Sequence, residues 1–538
     1  MSTFYLRTES IKTEDIKKLS VISQQDKEII KSLILPDPCL LEGSRGTGKS
    51  FLLRLTEIEV EEKHPKCVCV YISFNISSLI NTEDHFQFYH WMLAKTLKAL
   101  LNNLRKRGIS INTNSASLLS NDESESEEDI SQNLRDIVKQ YENSYKGKST
   151  INIESLPDIE DVKEAIEIIC KENGLDRIYF LFDEAAHVFR PEQQRQFFSL
   201  FKDLRSPYIT CNAAIYPGVT YFGNSFEPLH DCIYLKLERD IRDANYIKYF
   251  KEIVFNQSDQ ALKNTIQNQE SLFITLALSC GGNPRFLLNT LRDISTFNSK
   301  NIEQVIKDFY RNKIWSEHTD LGEKYFGHKT LIDWGRDFLE KSVIPSIIRY
   351  NEARKDSKKN ESTIYFWIHK DAPETVKESL RLLTYTGIIR KIDSGIRATK
   401  AELGVRYEVK FGCILGLEPN PHNVSKDFFN NLAISKFPEF GKNSPAYNSI
   451  IDLIEVINDD EGVFQKSIAN ILLKPISVLE LLTEWQKNTL NKAGVITISD
   501  LHNKTEAELI EKIYNVGPAR ARIMKRAVDA ELLEYISG

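Results

Sequence analysis

The segment 43–50 constrains the fold of this chain more than any other segment. Its residues are Gly43, Ser44, Arg45, Gly46, Thr47, Gly48, Lys49 and Ser50, which match the pattern G-x-x-x-x-G-K-[ST]. A short apolar run, 39–43, precedes it, and an apolar helix-like stretch begins at about Lys49. Glycines allow positive φ, so successive backbone N–H groups can converge on one point. The order strand, glycine-rich loop, helix therefore predicts an α/β fold with a phosphate-binding loop.

The residue types of this loop indicate which ligand it binds. The converging N–H groups and the helix N-terminus after Gly48 attract phosphate. The ammonium group of Lys49 reaches the β- and γ-phosphates of a nucleotide, and the hydroxyl of Ser50 ligates Mg²⁺. The loop therefore predicts that all eight residues bind ATP together with Mg²⁺.

A second motif follows the apolar run 178–182, which ends in Asp183 and Glu184. A carboxylate at the tip of a buried strand lies beside the phosphates, so we expect Asp183 to hold the Mg²⁺ shell. Glu184 is the expected general base for the attacking water. Lys49 is the catalytic residue that the phosphate-binding loop contributes. The alternative is that these two acids have no catalytic role and simply form an acidic turn after a buried strand. The presence of a phosphate-binding loop in the same chain favours a role in ATP hydrolysis.

Five apolar runs predict the strands of the sheet: 39–43, 66–74, 177–183, 208–216 and 232–237. They are rich in β-branched and aromatic residues and alternate little, as parallel strands buried on both faces do. Helical stretches separate them, which predicts a doubly wound αβα sheet.

A third motif, Gly-Gly-Asn-Pro followed by Arg285, lies in a helical region. Such a turn ends one helix and starts the next, so Arg285 is expected in the first turn of the new helix. From there it could reach the γ-phosphate and act in catalysis. A plain helix-turn-helix with a surface arginine is the alternative.

These motifs, GSRGTGKS, IYFLFDEAAHVF, ITCNAAIYPG and GGNPRFLL in this order, resemble the origin-recognition-complex-like (Orc-type) AAA+ ATPases. The similarity covers roughly residues 15–330 and is greatest with the bacterial branch, with STAND-type signalling ATPases as the nearest neighbours. It implies a P-loop NTPase core with strand order 5-1-4-3-2 and a helical lid that carries Arg285 as sensor 2. It also implies ATP-controlled switches that form homo-oligomers or bind DNA, and bacterial members that often look like parts of anti-phage or mobile-element systems.

The sequence departs from this family in two places. Sensor 1 is usually Asn or Thr at the tip of the fourth strand, but here the strand ends in Ile215 and Tyr216, and Asn212 comes four residues before Tyr216. An arginine finger is also not evident. The candidates flank the helix after Glu184, and a surface salt bridge is the alternative for each: Arg190, Arg195 and Arg205.

A chain of 538 residues is too long for one core, so several domains are expected. Six of the eight residues 122–129 are acidic, and such a run repels itself, which predicts a mobile insertion. The predicted divisions are an ATPase core at 1–238 with the insertion at about 105–155, a helical lid at 239–340, a winged-helix-like domain at 341–420, a helical connector at 421–480 and a helix-hairpin-helix domain at 481–538.

Two segments are candidate DNA-binding surfaces. Residues 349–400 contain 12 Lys and Arg against seven Asp and Glu, and a helix followed by two β-like segments resembles a winged helix. Its expected phosphate contacts are Lys377, Arg381, Arg390, Lys391, Arg397 and Lys400. Protein contacts are the alternative use of such a domain.

The C-terminal segment 513–521 resembles the helix-hairpin-helix pattern h-x-G-h-G-x-x-x-A, with Asn515 in place of the first glycine. Asn visits the left-handed region, so the replacement is tolerable. A degenerate first half of a tandem motif precedes it at 493–501. The residues expected to contact DNA phosphates are Gly517, Arg520, Arg522, Lys525 and Arg526.

Composition limits the remaining choices. The net charge of −6 argues against a protein that coats nucleic acid through bulk charge. The polar N-terminus does not resemble a signal or transit peptide, and no apolar run approaches the ~18 residues that span a bilayer. Eight scattered cysteines are expected to be reduced core thiols, which favours a cytoplasmic protein without membrane contacts.

Two functions remain open from the sequence. The leading hypothesis is a Mg-ATP-hydrolysing AAA+ switch that acts on or is recruited to DNA. The alternative is a STAND-like ATPase scaffold that assembles with a separate effector protein, controls it and does not bind DNA.

Overall fold

A computed structural model describes residues 4–75, 80, 82–120, 127–144, 151–219, 221–223, 226–357, 361–399, 401–451 and 463–537. The chain divides into two compact units: Tyr5–Glu238 forms one, and the other begins at Arg239.

The first unit is built on a five-stranded parallel sheet. Its strands are β1 (Cys39–Glu42), β2 (Cys67–Ser73), β3 (Arg177–Asp183), β4 (Ile209–Ile215) and β5 (Ile233–Lys236). They lie in the order β2-β3-β4-β1-β5, and every neighbouring pair is parallel. Each strand lies within one of the five predicted runs, so the predicted strands and the order 5-1-4-3-2 are confirmed.

Helices cover both faces of this sheet. They are α1 (Thr13–Leu19), α2 (Gln24–Leu33), α3 (Lys49–Lys63), α4 (Gln87–Lys106), α5 (Thr113–Ser120), α6 (Glu127–Asn143), α7 (Ile159–Asn173), α8 (Pro191–Asp203) and α9 (Pro228–Asp231). Side chains that alternate along a strand enter two separate cores: Phe180 and Phe182 lie in one core, and Leu181 lies in the other. Both faces of the sheet are therefore buried, as the apolar strands require.

The prediction of a mobile insertion at about 105–155 was wrong for much of that range. Helices α5 and α6 lie there, and α6 buries Ile130, Leu134, Ile137, Val138 and Tyr141 in the larger core of the sheet unit. These side chains recur at helical spacing and form one apolar face. Glu127, Glu128 and Asp129 form the first turn of α6, where negative charge is favourable beside the helix N-terminus. Residues 121–126 and 145–150 lie outside the described part of the chain.

The second unit begins with helices. They are α10 (Tyr246–Phe255), α11 (Gln260–Asn268), α12 (Glu270–Ser279), α13 (Pro284–Asp293), α14 (Ser299–Asp308), α15 (Trp315–Lys324), α16 (Lys329–Phe338) and α17 (Ile344–Asp356). π-Helical turns at 309–314 and 339–343 join α14 to α15 and α16 to α17.

A small sheet follows in the order β7-β8-β6-β9. Its elements are β6 (Tyr365–His369), α18 (Glu374–Thr386), β7 (Ile389–Arg397), β8 (Leu403–Val409), α19 (Phe411–Leu415), α20 (Pro421–Phe429) and β9 (Glu439–Phe440). The helix and the β7–β8 hairpin are where the sequence places them. The pairing of β9 with β6 was not predicted, because a two-residue strand has no local sequence signal.

The C-terminal helices are α21 (Val463–Leu472), α22 (Glu484–Lys492), α23 (Ile498–His502), α24 (Glu506–Lys512) and α25 (Pro518–Ser537). All eight cysteines of the chain are free thiols. Across the described ranges, we find no helix long and apolar enough to cross a membrane.

Two buried histidines make the stability of the second unit depend on pH. Burial lowers the pKa of His318 and of His328 to about 4 each, from 6.5. Between these values the unfolded chain binds protons that the folded chain does not, so stability falls as pH falls from 6.5 toward 4. We expect the free energy of unfolding of this unit to be roughly 2 kcal/mol lower at pH 5.5 than at pH 6.5.

Denaturant unfolding followed by tryptophan fluorescence measures this difference, because Trp315 lies 6.0 Å from the His318 ring. A His318→Gln variant should lose about half of the pH dependence. His230→Asn changes an exposed histidine of the first unit and should keep all of it. Equal pH dependence in the wild type and His318→Gln would contradict the assignment.

Candidate functional site

The loop between β1 and α3 has the geometry of a phosphate-binding loop. Gly46 and Gly48 adopt φ of 85° and 104°, which L side chains rarely adopt. A Cβ atom on Gly43 would lie 2.7 Å from the Thr47 hydroxyl oxygen, so the closed loop has no space for a side chain there. Helix α3 begins at Lys49 with Gly48 as its N-cap, as predicted.

The ammonium group of Lys49 lies inside this loop. The residue is only 7% exposed. Its Nζ donates to the carbonyl of Gly43 at 2.5 Å and to that of Ser44 at 3.2 Å. The same Nζ lies 4.2 Å from the ring centroid of Tyr216, within cation–π range. The loop therefore holds a positive charge at its centre, where the phosphates of a nucleotide would be bound.

Asp183 is fixed at the tip of β3 and is 3% exposed. One carboxylate oxygen accepts a hydrogen bond from the Tyr71 hydroxyl at 2.5 Å, and the other accepts from the Glu184 N–H at 2.9 Å. Burial, and next the charge of Asp183, raise the pKa of Tyr71 well above its ordinary value. The Tyr71 hydroxyl therefore stays protonated and holds the carboxylate in place from the neighbouring strand β2.

Glu184 leaves the strand in a left-handed conformation, with φ of 52°. Such backbone costs a non-glycine residue roughly 1 kcal/mol. Its Oε1 accepts a hydrogen bond from the Tyr216 hydroxyl at 3.3 Å. Burial and next Asp183 raise the pKa of Glu184, while the Tyr216 hydrogen bond and Arg45 oppose that rise. A partly buried carboxylate with a raised pKa suits a general base.

The parallel sheet brings the two motifs together, although 134 residues separate Lys49 from Asp183. Strand β4 pairs with β1 on one side and with β3 on the other. The carboxyl ends of all three strands therefore lie at one edge of the sheet, where ligands of such folds bind. Tyr216 follows β4 and contacts both Lys49 and Glu184. Sequence reasoning did not select Tyr216, although its place directly after the fourth strand was a usable signal.

Asn212, the residue that the sequence analysis considered for sensor 1, is not at this edge. It pairs with Cys39 at the start of β1 and is completely buried. Its Oδ1 accepts from the Cys39 N–H at 3.0 Å, and its Nδ2 donates to the Leu33 carbonyl at 2.8 Å. Asn212 therefore joins the end of α2 to the start of β1 and lies in the middle of β4, away from the strand tips.

The oxygen donors at the site suit Mg²⁺. Ser50 lies in the first turn of α3 and offers a hydroxyl, and Asp183 offers a carboxylate whose orientation is fixed by two hydrogen bonds. Mg²⁺ commonly takes one or two protein oxygens and completes its shell with water and substrate phosphates. The described residues contain no group of three or more His, Cys, Asp or Glu that could hold a metal.

In the second unit, Arg285 lies where the sequence predicts, in the first turn of α13. Gly281 and Gly282 adopt φ of 49° and 83°. The Asn283 side chain accepts from the Phe286 N–H at 3.3 Å and caps the helix. The turn is therefore built as expected, and the role of Arg285 as sensor 2 stays a prediction.

The arginine-finger candidates differ in exposure. Arg205 forms the alternative interaction, a salt bridge with Asp231 at 3.1 Å. Arg195 is only 9% exposed, which leaves little of it to reach another subunit. The Arg190 guanidinium lies 6.0 Å from the ring centroid of Phe88.

Two of the arginines predicted to contact DNA in the segment 349–400 form ion pairs within their own domain. Arg381 pairs with Glu378 at 2.5 Å, and both side chains are nearly buried. Arg390 pairs with the buried Glu408 at 2.6 Å. Carboxylates within the domain therefore pair with both charges, and the phosphate contacts of Arg381 and Arg390 stay predictions.

The other predicted positions on this surface are more accessible. Lys377 is partly exposed and pairs with Glu374 at 2.6 Å. Lys391 and Arg397 are exposed on β7. Lys400 lies outside the described residues.

Several of the predicted DNA-contact residues at the start of α25 are exposed. Asn515 adopts φ of 60°, as predicted for the position of the first glycine. Gly517 and Arg520 are exposed. The Arg520 guanidinium lies 4.7 Å from the ring centroid of Trp485, and Tyr514 is 86% exposed.

The remaining C-terminal candidates fall into two groups. Arg526 is exposed. Arg522 lies 3.8 Å from Glu506 and 3.5 Å from Asp371. Lys525 donates to the carbonyls of Leu501 and His502 at the end of α23. Lys525 therefore holds α25 against the preceding helices.

Comparison with known proteins gives one family match. Residues 7–374 match the family model described as ORC-CDC6-like. No curated protein matches this chain.

Three solved structures are similar in part. The Orc1 protein of Aeropyrum pernix in complex with DNA is 10% identical, with 77% of this chain and 95% of that chain covered and a TM-score of 0.30. Domain III of the Thermotoga maritima replication initiation protein DnaA is 12% identical, with 55% and 97% covered and a TM-score of 0.28. AMPPCP-bound DnaA from Aquifex aeolicus is 14% identical, with 66% and 94% covered and a TM-score of 0.27. TM-scores this low do not support a conclusion about the fold or function of this chain, so its membership of a family depends on the match to the family model.

Proposed function

This chain belongs to the ORC-CDC6-like family of AAA+ ATPases, and from that premise we propose that it binds Mg-ATP, hydrolyses it and engages DNA through its C-terminal helices. One observation supports the ATPase activity above all others. The lysine of the phosphate-binding loop and the strand-tip glutamate both contact the Tyr216 side chain, so the two motifs form one site.

The hydrolytic step follows from the residues at this site. The loop N–H groups and Lys49 bind the β- and γ-phosphates and offset their charge. Glu184 orients a water molecule and accepts its proton as the water oxygen bonds to the γ-phosphorus. The bond between that phosphorus and the bridging oxygen breaks, which yields ADP and phosphate. Bound Mg²⁺ would neutralise charge on the phosphate oxygens, and Ser50 and Asp183 would hold it.

Release of phosphate from ATP by the purified full chain tests the activity directly. We expect turnover that requires Mg²⁺ and saturates with ATP. A chain that releases phosphate no faster than buffer would contradict the proposal.

The proposed DNA surface is the region around the start of α25. Its N-terminal N–H groups and Arg520 can bind phosphate oxygens, and the exposed Tyr514 and Trp485 can contact sugars or unstacked bases. Gly517 presents only its backbone, so a phosphate can approach closely. None of these groups reads a base edge, which predicts binding that tolerates changes of DNA sequence. Because the whole chain carries a net charge of −6, binding depends on this local surface.

Charge reversal of Arg520 and Arg526 tests this surface. We expect the double variant Arg520→Glu, Arg526→Glu to bind duplex DNA at least tenfold more weakly at ~100 mM salt. If each arginine contacts one phosphate, the slope of log K against log salt should become smaller by roughly 2. Fluorescence anisotropy of labelled DNA at several salt concentrations measures both quantities.

A matched control changes the same charge elsewhere in the second unit. Lys248 on α10 and Lys300 on α14 are exposed, so Lys248→Glu, Lys300→Glu makes an equal change of net charge on other helices of the second unit. This control should keep most of its affinity and the wild-type salt slope. Equal losses in both double variants would show a general charge effect and contradict the proposed surface.

The finer expectations of the resemblance belong to the same proposal. Homo-oligomers that form on ATP binding, the role of Arg285 as sensor 2 and a place in an anti-phage or mobile-element system follow from the family likeness. The winged-helix-like and helix-hairpin-helix domains remain proposed divisions of the second unit.

A further inference from the structure

We propose that Tyr216 is a positioning residue for ATP hydrolysis. Its side chain contacts both Lys49, which binds the phosphates, and Glu184, which activates water. The inference rests on the proposed ATPase function. It assigns a role at the strand tip where neither Asn nor Thr is present.

The sheet order explains why this position can make the link. Strand β4 lies between β1, which leads into the phosphate-binding loop, and β3, which ends in the acidic pair. The first residue after β4 therefore lies between the two motifs. Pro217 restricts the backbone of Tyr216 to extended conformations, and Gly218 turns the chain with φ of 111°. The Tyr216 side chain is thus held at the edge of the sheet.

The phenol makes a different contact with each motif. Its hydroxyl donates to Glu184 Oε1 at 3.3 Å, and its ring lies 4.2 Å from Lys49 Nζ. The Arg45 guanidinium lies farther from the same ring, at 6.0 Å. A short side chain such as Asn or Thr has no ring for the ammonium group, whereas tyrosine provides both a donor and a ring. A shift of Lys49 toward bound phosphates would therefore alter its contact with the Tyr216 ring, whose hydroxyl orients Glu184.

The left-handed backbone of Glu184 explains why its carboxylate needs the hydrogen bond from Tyr216. The strand cannot orient a residue that has left the extended conformation, so the Glu184 carboxylate depends on side-chain partners for its position. Asp183 accepts a hydrogen bond from the hydroxyl of Tyr71 on β2, and Glu184 accepts one from the hydroxyl of Tyr216 after β4. Each acid of the pair is therefore held from a different side of β3.

Tyr216→Phe removes the hydroxyl and keeps the ring over Lys49. We expect kcat for ATP to fall about tenfold, while the Kd for Mg-ATP stays within about twofold of wild type. Tyr179→Phe is the matched control, because Tyr179 is a buried β3 tyrosine whose hydroxyl donates to the Ile34 carbonyl at 2.6 Å. That control should keep wild-type kcat. Wild-type kcat in Tyr216→Phe, or an effect on Kd instead of kcat, would overturn the proposal.

A double-mutant cycle separates positioning from a general structural effect. Single-turnover rates are compared for wild type, Tyr216→Phe, Glu184→Gln and the double variant. If Tyr216 acts through Glu184, adding Tyr216→Phe to Glu184→Gln should change the residual rate less than twofold. A tenfold loss in both backgrounds would overturn the role in positioning Glu184. A wild-type chain without turnover would reject the proposed function itself, whereas wild-type turnover with an insensitive Tyr216→Phe rejects only this inference.

Discussion

Lys49→Ala is expected to weaken the binding of Mg-ATP at least 100-fold. The Lys49 ammonium group lies inside the phosphate-binding loop, and the residue is only 7% exposed, so water cannot easily take the place of the ammonium group in the variant. Hydrogen bonds to charged groups contribute about 1.5–3 kcal/mol each, and the loss of about 3 kcal/mol corresponds to a factor of more than 100 in Kd. Titration calorimetry with Mg-ATP or a nonhydrolysable analogue measures the Kd directly.

The control for this experiment is Lys63→Ala, at the other end of α3. Lys63 is largely exposed and pairs with Glu59 at 2.8 Å, so its removal should leave the Kd within about twofold, as expected for a surface ion pair. Thermal melting shows whether either variant is unfolded. If folded Lys49→Ala binds Mg-ATP as tightly as wild type, the nucleotide site is elsewhere.

Glu184→Gln is expected to abolish most ATP turnover, with kcat at least 100-fold lower, and to keep wild-type affinity for ATP. Glutamine has nearly the same shape and can still accept the hydrogen bond from Tyr216, but it cannot take a proton from water. General-base catalysis typically contributes 10²–10⁴-fold in rate, which sets the expected loss. Phosphate release gives kcat, and the calorimetric titration gives the Kd.

Glu192→Gln provides the comparison, because Glu192 lies in the first turn of α8 and hydrogen-bonds to Gln196 at 3.0 Å. This variant should hydrolyse ATP at close to the wild-type rate. Glu184→Gln also retains ATP for mass photometry, which tests the proposed ATP-dependent homo-oligomer with and without DNA. Turnover by Glu184→Gln within a few-fold of wild type would remove Glu184 from the role of base.

Lys49 and Glu184 are expected to separate binding from chemistry. Lys49→Ala acts on the ground-state complex and raises Kd, whereas Glu184→Gln acts on the transition state and lowers kcat. Tyr216→Phe should lower kcat without a large change in Kd, as Glu184→Gln does, but the fall in kcat should be smaller. Three substitutions at one edge of the sheet thus distinguish three roles.

The C-terminal half shows that local sequence can identify helices and strands without showing which of their charges are paired. The helix α18 and the hairpin β7–β8 follow from apolar spacing and a turn, which are local properties. The basic sequence around Arg381 and Arg390 predicts that both face DNA. Glu378 and Glu408 neutralise them, and Glu408 is 18 residues from Arg390 in the chain.

The acidic insertion illustrates the same limit. Its negative charges predicted a mobile segment, but the apolar residues from Ile130 to Tyr141 have a partner surface in the sheet unit. A helix face of this kind stays folded only if another surface covers it, and the sequence does not show which surface that is.

The sequence by itself determined the P-loop core: five strands, the loop 43–50 and the acidic pair at 183–184. These features depend on apolar runs, on the φ values that glycine permits and on the spacing of residues within each motif, all of which are local. Only the tertiary structure decided which side chain lies between Lys49 and Glu184 and that Arg390 pairs with Glu408. Those contacts join residues far apart in the chain, and the strand order and packing that bring them together are properties of the whole fold.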